Sequence, residues 1–144
     1  MEKKIPRGIR NNNPLNIRRN PANHWRGAST TVTDKEFEQF DFMSFGIRAA
    51  LIILEKYFRR GINTIPKIIN AWAPPSENDT RSYCRRVCRI SAASETTVLD
   101  MSMAEIIPRL LYAMAVVENG GSQYLSPTSF VIAYESYQRE FSRR

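Results

Sequence analysis

The chain is short of metal ligands, of acids and of long apolar runs, and each shortage removes a class of function. Its one histidine, His24, and its two cysteines, Cys84 and Cys88, lie far apart in sequence. A structural zinc site draws four ligands, as a rule from Cys and His, so no metal and no cofactor is expected. Cys84 and Cys88 sit one helical turn apart in a segment with helical periodicity. That spacing lets them share a face but suits a disulfide poorly, so free thiols are expected.

No apolar run reaches the roughly 18 residues of a membrane span. The start, MEKKIPRGIRNNNP, is basic but lacks a following apolar stretch, so it does not read as a secretory signal. The expectation is a chain made in the cytoplasm, which needs a delivery route for any target outside it. Acids number 14 against 21 Lys and Arg, leaving a net charge of +7. Long-range attraction then favours a polyanionic partner: nucleic acid, or the bacterial wall with its negatively charged stems and polymers. No nucleic-acid-binding motif accompanies the charge, so nucleic acid is not the expected partner.

With 144 residues, of which 42% are hydrophobic, the chain has the size of one domain, 1–144, with a real core. The first 27 residues, rich in Asn, Pro and Arg, read as ordered loop or short strand. KEFEQFDF, residues 35–42, reads as a short strand whose alternation slips phase between Phe37 and Phe40. From Ser44 to Arg60 the pattern is helical. Arg48, Glu55 and Arg59 form a thin polar stripe on it, so this helix should be the longest and largely buried. Gly61 ends it. Thr64 caps a helix running to Trp72, before Pro74 and Pro75.

ENDT, residues 77–80, supplies capping residues for a helix with Tyr83, Val87 and Ile90 on one face and Arg81, Arg85 and Arg89 on another. That Arg face is either solvated surface or a polyanion contact. Ser102 and Glu105 fit a capping box, although Pro108 forces a kink or a later start. The last helix begins at Ser126 and Pro127 and buries Phe130, Tyr134, Tyr137 and Phe141.

AMAVVENGG, residues 113–121, contains the most informative carboxylate. On a helix Glu118 falls in line with Ile107, Leu111 and Met114, on the apolar stripe, whereas Arg109 and Glu105 project from the other side. Asn119, Gly120 and Gly121 read as a C-cap. Desolvation and the negative end of the helix dipole both disfavour ionisation there. A carboxyl group that holds its proton near neutral pH is the chemistry of a general acid in glycoside cleavage. The alternative is a rim Glu that reaches water or pairs with an Arg. Glu36, Glu38, Asp41 and Asp79 are the candidates for a second carboxylate.

Three stretches together, RGIRNNNPLNIR, FDFMSFGIRA leading into INAWAPPSENDTRSY, and VVENGGSQY, resemble a family of phage-associated proteins related to the lysozyme-like peptidoglycan hydrolases. The likeness runs from about Arg7 to Tyr124. Leu15 stands where the family pattern has Gly. The resemblance implies an α+β, mainly helical, lysozyme-like fold with a small β region and a circularly permuted order, since the Glu-bearing helix here follows the β region. It also implies a peptidoglycan glycosidase, muramidase or lytic transglycosylase, with Glu118 as general acid. Tyr83, Asn13, Asn16, Asp79 and Tyr124 would contact substrate, and glycan strands would be the partner of a monomeric protein. Delivery would be by a phage particle, holin or secretion system. From the residues alone, Tyr83 serves equally as core, Asn13 and Asn16 as turn formers, and Trp25 and Trp72 as core or as sugar-stacking faces. A non-catalytic virion or wall-binding protein on the same fold is the other implied class.

Overall fold

The computed structural model describes residues 4–74 and 79–142, and is mainly helical. Pro75, Glu77 and Asn78, assigned above to a helix break and to capping, lie outside the described residues. In chain order the helices are α1 (Arg7–Arg10), α2 (Met43–Arg59), α3 (Ile65–Trp72), α4 (Thr80–Ser91), α5 (Ile107–Glu118) and α6 (Pro127–Phe141). Helix α3 packs on α4, α4 on α5, α5 on α6, and α6 on α2.

The longest described helix is α2, as the 44–60 periodicity predicts, but α5 is the more enclosed. Ile107, Pro108, Leu110, Leu111, Ala113, Met114, Ala115 and Val116 are all buried in it. Pro108 is tolerated because it falls in the first turn. The capping box does not form. Ser102 instead takes a local bond from its own N–H to Asp100 Oδ1 at 2.8 Å, and the helix starts later. Helix α4 is capped by Asp79, whose side chain accepts from Ser82 N at 3.1 Å. Its buried face is Tyr83, Cys84, Val87 and Ser91, while Ile90 points outward beside the exposed arginines, so the face is rotated from the expected one. Both cysteines are free.

The expected strand over 35–42 is not a regular strand. It makes two isolated bridges, Arg18 to Phe37 and Ala28 to Phe40, because its partner is a turning loop rather than an extended segment. Arg7–Arg10 is a helical turn where loop or strand was expected, with its first donors closed onto Pro6 O. Positive φ in the Asn-rich loop falls at Asn12 (53°) and Asn16 (51°). Leu15 carries no such demand, and its side chain is fully buried in the core. The loop therefore accepts Leu at this position and gains an apolar anchor.

Candidate active site

Helix α5 delivers Glu118 at its last turn and then stops on a two-bond cap. Gly121 N donates to Val116 O at 2.9 Å and Gly120 N to Val117 O at 3.3 Å. Both glycines have positive φ, which only this cap geometry requires. Asn119 Nδ2 adds bonds to Ala115 O and Pro14 O, each 2.8 Å, and so ties the helix end to the Asn-rich loop.

Glu118 is half-buried, and both its oxygens accept hydrogen bonds. Asn16 Nδ2 donates to Oε1 at 3.0 Å, and Tyr83 OH donates to Oε2 at 2.8 Å. Burial pushes the carboxyl group above its ordinary value. The bonds from Asn16 and Tyr83, and the charge of Arg18, pull it back only in part. Tyr83 is itself pushed well up, first by burial and then by the neighbouring carboxylate, so it remains a phenol that donates. The two readings of Tyr83 merge: it is core by its ring and a site residue by its hydroxyl.

The approach is close because Gly8 of α1 has no side chain. A Cβ there would lie 2.6 Å from Asn119 Oδ1 and 2.8 Å from Asn16 Oδ1. Both of those amide oxygens are buried and unpartnered, which leaves the donor end of Asn16 directed at the carboxylate.

Glu118 opens into a cleft of about 840 Å³, within the roughly 300–1,000 Å³ usual for ligand pockets. One wall is the loop from Asn16 to Asn23, with Arg18, Arg19, Asn20 and Asn23. The other is built from Ile53 and Tyr57 of α2, Trp72 at the end of α3, and Ala73 and Pro74 after it. Trp72 is held in place by its indole N–H, which donates to Leu15 O at 2.9 Å, and by an edge-to-face contact with Tyr57 at 5.8 Å. The cleft thus combines flat aromatic faces with amide and guanidinium donors around one acid.

The sequence-based candidates divide. Glu118, Asn16 and Tyr83 are brought together. Asn13 is not in the cleft: it is fully buried, donating to Ile17 O and Glu38 O and accepting from Ile17 N, each at 3.0 Å, and it holds the turn. Asp79 is exposed as the α4 cap. Tyr124 lies in a separate hollow with Lys4 and Gly121. Of the candidate second carboxylates, Glu36 pairs with Arg7 and Arg18, Asp41 is exposed, and Glu38 belongs to a neighbouring cavity. Among the described lining residues, Glu118 is the only carboxylate. Sequence reasoning missed Arg18, Arg19, Asn20, Asn23 and Tyr57. The run NIRRNPAN, which starts at Asn16, was a polar signal for the first four, whereas Tyr57 had none.

No family model matches the chain. It is similar to Protein P5 of Pseudoalteromonas phage PM2, with 37% identity over 121 residues, covering 82% of this chain and 74% of that protein. The chain belongs to the family of that phage protein. Among the described residues, no helix is long and apolar enough to cross a membrane, and no group of His, Cys, Asp and Glu could hold a metal ion.

Proposed function

We propose that the protein is a phage-associated peptidoglycan glycosidase on a lysozyme-like fold of permuted order, with Glu118 as its general acid. The observation that carries this reading is the half-buried carboxyl group at the end of α5, raised in pKa and bonded by Tyr83 and Asn16, at the head of a sugar-sized cleft. In the first step the Glu118 proton passes to the glycosidic oxygen as the bond to the anomeric carbon breaks. A two-carboxylate hydrolase would then need a second acid across the substrate, and none of the described lining residues supplies one. The chemistry that fits a single carboxylate is attack by the substrate's own hydroxyl on the anomeric carbon, with Glu118 now taking that hydroxyl's proton. The proton ledger closes and an anhydro sugar forms, which is the lytic transglycosylase outcome. Trp72 and Tyr57 offer stacking faces, and Asn20, Asn23 and Arg19 offer donors to acetamido and carboxylate oxygens.

One observation favours a binding protein without turnover. Both oxygens of Glu118 already accept hydrogen bonds, and donors of that kind stabilise the ionised form, as they would in a purely structural link between α5, α4 and the loop.

The test is digestion of peptidoglycan by the wild-type protein and by Glu118→Gln, with soluble products identified by mass. The expected result is anhydro-ended fragments from the wild type and a loss of roughly 100-fold or more in the folded variant. Reducing ends would replace the transglycosylase outcome by hydrolysis. No product from the wild type across a wide pH range would leave the binding reading in its place.

A further inference from the structure

Behind the loop that walls the cleft lies a second cavity of about 790 Å³, which shares Arg19, Asn20, Pro21 and Asn23 with the first. Glu38, a residue only 5% exposed, is one of the residues that line it. Trp25, Arg26 and Arg48 also line it. Arg26 and Arg48 are both engaged by Glu140 at 2.8 Å. Among the described residues, Arg19 and Glu38 form no ion pair with each other or with any other group. Two buried donors in this wall, Arg19 Nε and Trp25 Nε1, have no acceptor.

An unpaired guanidinium and an unpaired carboxylate line one cavity, and Arg19 Nε and the Trp25 indole N–H there lack acceptors, which calls for a ligand bearing both charges. A carboxylate would answer the Arg19 guanidinium and the Trp25 indole N–H, and an ammonium would answer Glu38. Neutral sugar hydroxyls would leave both charges uncompensated. We propose that this cavity binds a zwitterionic amino-acid group, the kind presented by the peptide stems of peptidoglycan, while the neighbouring cleft holds the glycan from which the stem branches. The proposal rests on the peptidoglycan reading of that cleft, and the shared loop from Arg19 to Asn23 gives the two parts of one substrate a common wall.

The chain has two tryptophans, one in each cavity, so two indole N–H resonances of ¹⁵N-labelled protein report on them separately. Trp25→Phe assigns them. Titration with a sugar-free stem peptide containing a diamino acid should move the Trp25 signal and leave Trp72 in place. A peptide-free N-acetylglucosamine oligomer should do the reverse. Glu38→Gln should weaken the peptide by about tenfold, the effect of losing one charge partner, and leave the oligomer's effect on Trp72 unchanged. The proposal is overturned if the stem peptide leaves Trp25 unmoved at millimolar concentration, or if the peptide-free oligomer moves Trp25 as much as the peptide does. Peptide binding at Trp25 without any glycan binding or cleavage would keep the cavity assignment and remove the glycosidase reading. Should Glu38→Gln fail to fold, the same peptide with its amine acetylated replaces it: undiminished binding of that peptide to the wild type overturns the proposal.

Discussion

Asp34 and Glu118 are both carboxylates withdrawn from water, and the same Asn-rich loop touches both, yet their acidities move in opposite directions. Asp34 takes a two-pronged bond from Arg7 at 2.6 and 2.8 Å, one from Asn11 Nδ2 at 2.9 Å, and backbone donors from Glu36 and Phe37 at 2.9 and 3.0 Å. The Arg7 bond is the largest influence and holds Asp34 far below the usual carboxylate range, outweighing burial. Among the described residues Glu118 has two neutral donors and no guanidinium in bonding contact, so burial wins. Charge compensation separates them rather than depth alone. A carboxylate met by a guanidinium is held ionised to lower pH, and one met by burial and two neutral donors holds its proton to higher pH than an exposed acid would.

The strongest way to break the contrast is Gly8→Ala. A Cβ at Gly8 would crowd Asn16 Oδ1, Asn119 Oδ1 and Asn13 O within 2.6–2.9 Å, which forces the loop off the end of α5. We expect a loss of about 1–3 kcal/mol in denaturant unfolding, the usual cost of overpacking. The proposed glycosidase activity should fall with it, because Asn16 loses its hold on Glu118. Wild-type stability would mean that the loop shifts freely and that the Asn16 contact is incidental.

Asp34→Asn tests the other side of the comparison. It keeps the shape but leaves Arg7 with only its longer pairing to Glu36 at 3.5 Å, at a cost of about 1–3 kcal/mol for hydrogen bonds to a charged group, with the proposed catalysis altered little once the protein is folded. The pH sign follows from the lowered folded-state value. The contribution of Asp34 is present above its ordinary value of 3.8 and is lost as pH falls below it. Unfolding midpoints of wild type and variant should therefore converge on acidification. A constant gap between them would assign the loss to packing instead.

The smallest expected effect comes from Tyr83→Phe, which removes one donor from Glu118 and keeps the buried ring. On the glycosidase reading, turnover should drop by about tenfold, the scale of one hydrogen bond to a charged group. Without that donor the carboxyl group rises further, so the decline of activity with increasing pH moves to higher pH. A purely structural Tyr83 would lower stability and leave the pH profile where it was.

Much of this contrast was legible in the sequence on one side and hidden on the other. The helical period placed Glu118 in line with Leu111 and Met114, and the Asn-Gly-Gly run marked the cap that follows; both depend on neighbours within a few residues. The helices from Met43 and from Pro127 were readable for the same reason. Contacts that span the chain were not. Asn16 reaches Glu118 across 102 positions and Arg7 reaches Asp34 across 27, and no local pattern encodes such pairs. Asn13 and Asn16 looked alike as residues, but only the positive φ at Asn16 turns its amide toward the cleft while Asn13 is consumed by backbone groups. The strand expected over 35–42 failed because alternation signals one exposed face and does not supply a straight partner.

The most direct test is titration of the side-chain carboxyl groups of the folded protein by ¹³C NMR, with Glu118→Gln used to assign the Glu118 signal. Glu118 should titrate above its ordinary value of 4.5, and Asp34 should stay ionised well below 3.8. By linkage, the wild type then loses stability relative to Glu118→Gln as pH rises from 4.5 through the raised value, the window in which a buried carboxylate is forced to ionise. A Glu118 that titrates at or below 4.5 would contradict the account, because the acid at the head of the cleft would then have no proton to give.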